Sequence, residues 1–275
     1  MIVEVDGHQA HAATGGVSLD GNDPVMILIH GAGMDGTVWQ QQTRFLAHHG
    51  LRAVAVDLPG HGRSHGTPLE TIVDMADWVA RFVEAADLQP VHVAGHSMGS
   101  FIALELARRH AELVTSLVLM GTADAMPVHP DLIDASENEL GRAAALMAAW
   151  SHAKPAHVGL NPTPGLWMLG GARALVETSE PGALAVDFNA CASYADAAEA
   201  AAAVSCPVQV VIGRGDKMTP PKAAARLIGE FNADQMPYEV AVAELDGVGH
   251  MMMMEDPRSV RSILVQAGTQ IASKT

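Results

Sequence analysis

The chain has 275 residues, of which 49% are hydrophobic, and its formal net charge is −15 at pH 7. A chain of this length and apolar content can bury one large core and commonly folds as a single α/β domain. The acidic balance, without any basic cluster, argues against nucleic acid and against anionic membrane surfaces as partners.

Predicted strands and helices alternate over the first part of the chain. Two short N-terminal strands are followed by an apolar strand at Val25–Ile29, a helix at 38–49, a strand at 53–57, a helix at 69–86, a strand at 91–94, a helix at 101–109 and a strand at 113–120. This alternation predicts an α/β fold with a mostly parallel central sheet and helices on both faces.

The pattern changes after Met120. About 90 residues separate this strand from the next candidate at 208–212, whereas a parallel crossover needs only a dozen or more. The surplus contains predicted helices at 137–151, 165–176, 182–194 and 195–203, and a last strand at 238–245 precedes a final helix. We therefore predict a core formed by residues 1–121 and 205–275, with a helical cap inserted at 122–204.

Residues 95–99 read Gly-His-Ser-Met-Gly and lie between a predicted strand and a predicted helix. A serine with a glycine two residues away on each side is typical of a nucleophile elbow, a tight turn that projects the serine hydroxyl out of the fold. The glycines leave room for strand and helix to approach closely. The motif predicts a serine hydrolase with Ser97 as nucleophile. The alternative is an ordinary turn in which Ser97 only caps the helix.

The apolar third strand ends in residues 30–33, His-Gly-Ala-Gly, which indicates a buried strand that opens into a glycine loop. Attack on a carbonyl needs donors for the oxyanion, commonly the backbone N–H after the nucleophile and one from this loop. We assign these donors to Met98 and Ala32, with Gly33 as the alternative to Ala32. We interpret His30 as a supporting hydrogen-bonding residue rather than a catalyst.

Two further polar residues follow predicted strand ends. Asp216 follows the first strand after the inserted helices, and His250 lies in a glycine-containing loop after the last strand. Open α/β sheets assemble their sites at the carboxyl ends of the strands, and the order serine, acid, histidine is expected there. We predict that His250 is the base and that Asp216 orients it. Asp124 is the competing acid, and Asp246 is a weaker third choice.

Five segments along the chain carry a family resemblance: residues 30–31, 57–64, 95–99, 213–216 and 249–250. In this order they resemble the α/β-hydrolase fold superfamily, and specifically its esterase- or lactonase-like serine hydrolases with a helical cap. The resemblance covers almost the whole chain and is specific for the fold but not for the substrate. It implies that the 57–64 loop is a rigid turn behind the site. Ser100 stands where many members have a second glycine, which favours esterase-like over aminopeptidase-like branches.

The candidate lining of the substrate pocket is apolar. We assign it to Trp150 and Trp167 of the cap and to Met34 and Met251 beside the glycine loops; the alternative is that most such residues are core. Methionine is deformable, so such a pocket would admit alkyl or flat hydrophobic groups. A strongly anionic substrate has few candidate cationic partners near the motifs, namely Arg63, Arg142, Lys154 and Arg173.

We predict a serine hydrolase, independent of any cofactor or metal, that cleaves an ester or lactone of a small, mainly apolar acyl group through an acyl-enzyme. One alternative is a carbon–carbon bond or enol-lactone hydrolase of aromatic degradation. The other is a non-catalytic hydrolase-fold receptor for a small ligand.

The compartment and assembly are predicted from weaker signals. The first residues lack the basic and apolar regions of a signal peptide, and no apolar run reaches membrane-span length, so we expect a cytoplasmic protein. Cys191 and Cys206 are predicted to be free thiols rather than a disulfide or a metal site. The sequence leaves open whether the chain forms a homo-oligomer.

Overall fold

The computed structural model describes residues 1–160, 165–231 and 240–269. In these ranges the strands are β1 (Ile2–Val5), β2 (His8–Ala13), β3 (Val25–Ile29), β4 (Arg52–Val56), β5 (Val91–His96), β6 (Val114–Met120), β7 (Val208–Gly213) and β8 (Ala241–Leu245). The helices are α1 (Gln40–Ala47), α2 (Ile72–Ala85), α3 (Met98–Arg109), α4 (Pro130–Asn138), α5 (Leu140–Ser151), α6 (Lys154–His157), α7 (Met168–Glu177), α8 (Ala183–Ser193), α9 (Ala197–Ala203), α10 (Pro221–Ile228), α11 (Met252–Glu255) and α12 (Pro257–Thr269).

The described strands form one sheet in the order β1-β2-β4-β3-β5-β6-β7-β8. The pairs β1–β2 and β2–β4 are antiparallel, and the pairs from β4 across to β8 are parallel. All five residues of β3 are buried, as expected for a parallel strand with helices over both of its faces. The predicted α/β fold with a mostly parallel sheet is thereby confirmed.

The strand order reverses at β3, because β4 lies on one side of it and β5 on the other. Such a reversal leaves a crevice beyond the carboxyl ends of the two strands that flank it, where open α/β sheets bind ligands. The loop that follows β3 and the turn that follows β5 therefore meet at this crevice. These are the segments that contain Ala32 and Ser97.

Helices α4 to α9 lie between β6 and β7, within the segment 122–204, which we call the insertion. The predicted helix 137–151 covers the last two residues of α4 and all of α5, and the two helices are separated at Glu139, whose backbone is not helical (φ −147°, ψ 73°). Helix α9 packs against α3 and α10, so this end of the insertion is anchored on the sheet's own helices.

Other differences from the sequence prediction are helices that it lacks and ends that it misplaces. Helices α6, α10 and α11 were not predicted, and only the last two residues of α4 fall in a predicted helix; α10 begins with proline at its first position, and α11 is a single buried turn. The last strand begins at Ala241, and residues 238–239 of its predicted range lie outside the described residues. Across the described ranges, no helix is both long and apolar enough to cross a membrane. Both cysteines are free thiols, as predicted.

Candidate active site

The turn between β5 and α3 has the geometry of a nucleophile elbow. Ser97 has φ 54° and ψ −121°, a left-handed conformation that costs energy in a residue with a side chain. A Cβ on Gly95 would lie 2.0 Å from the carbonyl oxygen of Gly99, and one on Gly99 would lie 2.4 Å from that of Ile29. Both positions therefore require glycine, as the motif predicts.

Asp216 and His250 form a buried pair at the ends of β7 and β8. The Nδ1 atom of His250 lies 2.8 Å from Oδ2 of Asp216, and both residues are buried. The carboxylate also accepts hydrogen bonds from the Met218 and Thr219 amides and from the Thr219 hydroxyl. Since Nδ1–H donates to Asp216, the proton-free nitrogen of the neutral ring is Nε2.

The environment of Asp216 favours its ionised form. Burial by itself would raise the pKa of this carboxyl group, but the His250 ring and the Thr219 donors stabilise the negative charge, and the pKa is lowered. Sequence reasoning missed Thr219. The spacing Asp-x-x-Thr, in which the carboxylate caps the turn that follows it, is the signal that could have found it.

The backbone of the His250 loop is held from two sides. The Nε2–H of His96 donates to the carbonyl oxygen of His250 at 2.9 Å, and burial and the nearby His250 ring lower the pKa of His96 to about 3, so its ring is neutral. From the insertion, the carbonyl oxygen of Ser151 accepts from the amides of His250 (2.7 Å) and Met251 (3.2 Å). The insertion thus helps to position the predicted base.

Ser97 and His250 line the same two cavities. In the described structure no hydrogen bond joins the serine Oγ to the imidazole, as is often the case for catalytic pairs without a bound substrate. The two competing acids lie elsewhere. Asp124 forms a bidentate ion pair with Arg226, which lowers its pKa, and Asp246 is exposed and pairs with Arg214.

The predicted oxyanion donors belong to Met98, which follows Ser97 in the chain, and to Ala32, which lines the same two cavities as Ser97. Residues 31–34 form a turn that is closed by the Met34 N–H to the Gly31 carbonyl oxygen (3.2 Å), with Ala32 and Gly33 at its centre. The Gly33 N–H donates to the carboxylate of Asp187 at 2.7 Å. The Ala32 and Met98 amides, in contrast, have no acceptor among the described residues. Of the two alternatives in this loop, Ala32 is the one with a free donor.

His30 supports this loop from behind. Its Nδ1–H donates to the Gly31 carbonyl oxygen at 2.9 Å, and its Nε2 accepts from the Leu58 amide at 3.2 Å. Burial, reinforced by the charge of nearby His61, lowers the pKa of His30. The neutral ring therefore bridges the two loops by hydrogen bonds, in agreement with the supporting role expected from the sequence.

Two cavities meet at Ser97. Besides Ser97, they share Ala32, Phe188, Met218 and His250. The smaller is otherwise lined by Met34, Met147, Ala148, Ser151, Ala172, Val176 and Met251. The larger is otherwise lined by Met126, Pro127, Val128, His129, Leu132, Trp150, Cys191 and Thr219. No Asp, Glu, Lys or Arg is among the described residues that line either cavity.

Three of the four predicted pocket residues, Met34, Trp150 and Met251, line a cavity. Trp167 lines neither of these two cavities: the residue is 77% exposed, and its indole lies over Gly170 of α7. Phe188 lines both cavities and is not among the four residues assigned to the pocket from the sequence.

None of the four cationic residues considered from the sequence is among the described lining residues. Arg142 and Arg173 are paired with acidic residues of the insertion, Asp134 and Glu177. The described cavities therefore have no lysine or arginine side chain that would bind a carboxylate or phosphate group of a substrate as an ion pair.

Comparison with known proteins places these observations in context. The model of the alpha/beta hydrolase family matches residues 26–263. The pimeloyl-[acyl-carrier protein] methyl ester esterase of Aromatoleum aromaticum is 32% identical over 252 residues, which cover 86% of this chain and 94% of that protein. The (E)-2-((N-methylformamido)methylene)succinate hydrolase of Acinetobacter baylyi is 32% identical, but this chain spans only 38% of its length.

Among solved structures, the enol-lactonase from Burkholderia xenovorans LB400 superposes with a TM-score of 0.83 at 21% identity. The alignment covers 97% of this chain and 98% of that one. At this identity the likeness establishes a shared fold.

Proposed function

The chain belongs to the alpha/beta hydrolase family, and on that premise we propose that it is a serine hydrolase of uncharged carboxylic esters or lactones. The observation that carries the proposal is the strained Ser97 at the meeting point of two apolar cavities, beside the buried Asp216–His250 pair. A strained nucleophile position and a buried acid–histidine pair are costly to maintain, and they are typical of catalytic sites.

In the proposed reaction, Ser97 Oγ attacks the carbonyl carbon while His250 Nε2 takes its proton. Asp216 stabilises the imidazolium that forms, and the Met98 and Ala32 amides donate hydrogen bonds to the oxyanion. His250 then protonates the leaving alkoxide, which departs and leaves an acyl-serine. A water molecule repeats these steps and releases the acid; with a lactone, the alcohol and the acid are parts of one product.

The chemistry of the cavity walls supports a neutral substrate. An ester has an acyl part and an alcohol part on opposite sides of the reacting carbon, and two cavities meet at Ser97. Both have walls without a formal charge among the described residues, so burying a carboxylate or phosphate there would be costly. The proposed substrate is therefore uncharged on both sides of the scissile bond.

The insertion, residues 122–204, is proposed to act as the cap over the site. Met147 and Trp150 of α5 and Phe188 of α8 line the cavities from the insertion. Because these side chains contribute shape and apolar surface, we assign to this segment the selection of the substrate and to the sheet edge its cleavage.

A fluorophosphonate that labels active serine hydrolases tests the class. We expect the wild-type protein to be labelled at Ser97 and to hydrolyse p-nitrophenyl esters, while the Ser97→Ala variant does neither. A folded wild-type protein that is not labelled and is inert towards esters, lactones and vinylogous diketones would contradict the proposal and favour a non-catalytic receptor. A preference for diketones in this panel would instead indicate carbon–carbon bond hydrolysis.

A further inference from the structure

Asp187 is a fully buried carboxylate of α8, outside the proposed catalytic groups. Its Oδ2 atom accepts the Gly33 N–H at 2.7 Å and lies 2.9 Å from Nε2 of His61. Placing an ionised carboxylate in a protein interior is expensive unless partners offset the loss of hydration. These partners come from two loops of the sheet edge, so the residue joins the insertion to the loops behind the site.

The ring of His61 has acceptors at both nitrogens. Nδ1 lies 3.0 Å from the Pro59 carbonyl oxygen, and Nε2 faces Asp187. Only the imidazolium form can donate in both directions. Burial would lower the pKa of His61, but the charge and hydrogen bond of Asp187 outweigh it and the pKa is raised. Asp187 and His61 thus form a buried ion pair.

The Gly33 N–H belongs to the turn that carries the proposed oxyanion donor. Gly33 has φ +64°, and a Cβ there would lie 2.6 Å from Cδ1 of Leu184. Leu184, Asp187 and Phe188 are spaced at i, i+3 and i+4 on α8, so they lie on one face of this helix. That face packs against the turn, binds its amide and lines both cavities.

We propose that Asp187 is a positioning residue for the hydrolytic reaction. By binding the Gly33 N–H, it fixes the central peptide of the 31–34 turn and, with it, the adjoining peptide that contains the Ala32 N–H. The position of the Ala32 amide, and with it the order of the oxyanion site, then depends on the packing of α8 against the core. This inference rests on the proposed function, because it assigns the Ala32 amide to the oxyanion.

Glu105 provides a matched control. It is a buried carboxylate that also accepts a hydrogen bond from the insertion, here from the Tyr194 hydroxyl at 2.8 Å. It lies on α3, and its carboxylate accepts from Tyr194 and Arg108 rather than from the 31–34 turn. Asp187→Ala and Glu105→Gln should both lower the thermal midpoint, but only the first should disturb the oxyanion donor.

The experiment measures kcat and KM for p-nitrophenyl butyrate and the inhibition constant of an alkyl trifluoromethyl ketone, which forms a hemiketal oxyanion on the serine. For Asp187→Ala we expect kcat to fall by about 10- to 100-fold, less than the ~10²- to 10³-fold loss on removing a donor outright. The ketone should bind weaker by a similar factor, while KM changes by less than about threefold. Glu105→Gln should keep the wild-type values.

Asp187→Asn retains a neutral acceptor oxygen for Gly33, which binds the amide more weakly than the carboxylate does, and should restore only part of the kcat that Asp187→Ala loses. If Asp187→Ala does not fold, the Asn variant decides the question, with kcat and ketone affinity both reduced by about three- to tenfold at unchanged KM. Folded Asp187 variants with wild-type kcat and ketone affinity would overturn the inference. A wild-type protein that is inert towards esters and fluorophosphonates would instead overturn the proposed function.

Discussion

The sheet edge and the insertion differ in the kind of groups they contribute to the site: the sheet edge contributes polar groups, and the insertion contributes mainly apolar side chains. At the sheet edge Asp216 accepts hydrogen bonds from two amides, a hydroxyl and an imidazole, and Ser97 is held in a strained conformation. The insertion presents apolar side chains to the same cavities. Its polar contacts with the loops of the site come from a few atoms, such as the Asp187 carboxylate and the Ser151 carbonyl oxygen.

This contrast indicates how the molecule separates reaction from selection. Charge that develops in a reaction needs dipoles whose positions are already determined, and these require dense hydrogen bonding on rigid elements. Selection among neutral groups needs only the shape and apolar area of a wall, which can change without loss of that network. Substitutions at the edge should therefore reduce all reactions together, whereas substitutions in the cavity walls of the insertion should change their ranking.

The largest effect is expected for Ser97→Ala, because it removes the nucleophile. Turnover of every ester should fall by about 10⁶-fold, as in other hydrolases that lose this group. Alanine fits the turn without a new clash, so thermal denaturation should show an unchanged midpoint. Retention of more than a few per cent of wild-type turnover would show that another group attacks the substrate.

Asp216→Asn should follow, with turnover reduced by about 10⁴-fold, because the amide no longer favours the imidazole tautomer that accepts the serine proton. Asp124→Asn is the matched control, since this carboxylate pairs with Arg226 outside the site. We expect it to change turnover by less than about threefold. Steady-state kinetics with one activated ester measures both variants, and the reverse ranking would assign the acid to Asp124.

A smaller and selective effect is expected for Trp150→Ala. Its ring lines the larger cavity, so its removal should shift the ratio of kcat/KM between short and long esters by about 1–3 kcal/mol. Trp167→Ala is the control, because this indole is exposed and should leave the ratio unchanged. An unaltered chain-length profile in Trp150→Ala would remove this ring from the substrate site, and a shift in Trp167→Ala would place that ring there.

The smallest effect concerns the pH dependence of stability at the contact between α8 and the core. Because the pKa of His61 is raised in the folded protein, its ion pair with Asp187 stabilises the fold fully below the unfolded histidine pKa of about 6.5. This contribution is lost as the pH rises through the folded pKa. Two other titratable groups lie near His61. The charge of Asp57 also raises the pKa of His61, and the ring centroid of His30 lies 5.0 Å from that of His61.

Urea denaturation at several pH values checks this expectation with His61→Gln. The difference in unfolding free energy between wild type and variant should be largest near pH 5.5 and should shrink towards pH 9. A difference that stays constant or grows with pH would show that His61 is neutral in the folded protein.

The sequence was informative where the structural requirement is local. The glycines at 95 and 99 predicted the elbow, because backbone atoms come too close there to leave room for a side chain. Unbroken apolar runs predicted the buried strands, because a strand covered on both faces needs apolar residues at successive positions. Helix boundaries in the insertion were less accurate. The break at Glu139 has no proline to mark it, so the prediction begins a helix at residue 137, two residues inside α4; α8, in contrast, lies within one residue of its predicted ends.

The sequence by itself determined the fold class, the order of the candidate catalytic residues and the loops on which they lie, since each depends on neighbours within a few residues. Tertiary structure alone decided which carboxylate reaches His250, that Trp150 faces a cavity while Trp167 does not, and that a helix 154 residues downstream binds Gly33. The physical reason is that hydrogen bonds and apolar contacts between distant segments depend on how the elements pack. The spacing of residues within one segment does not determine that packing.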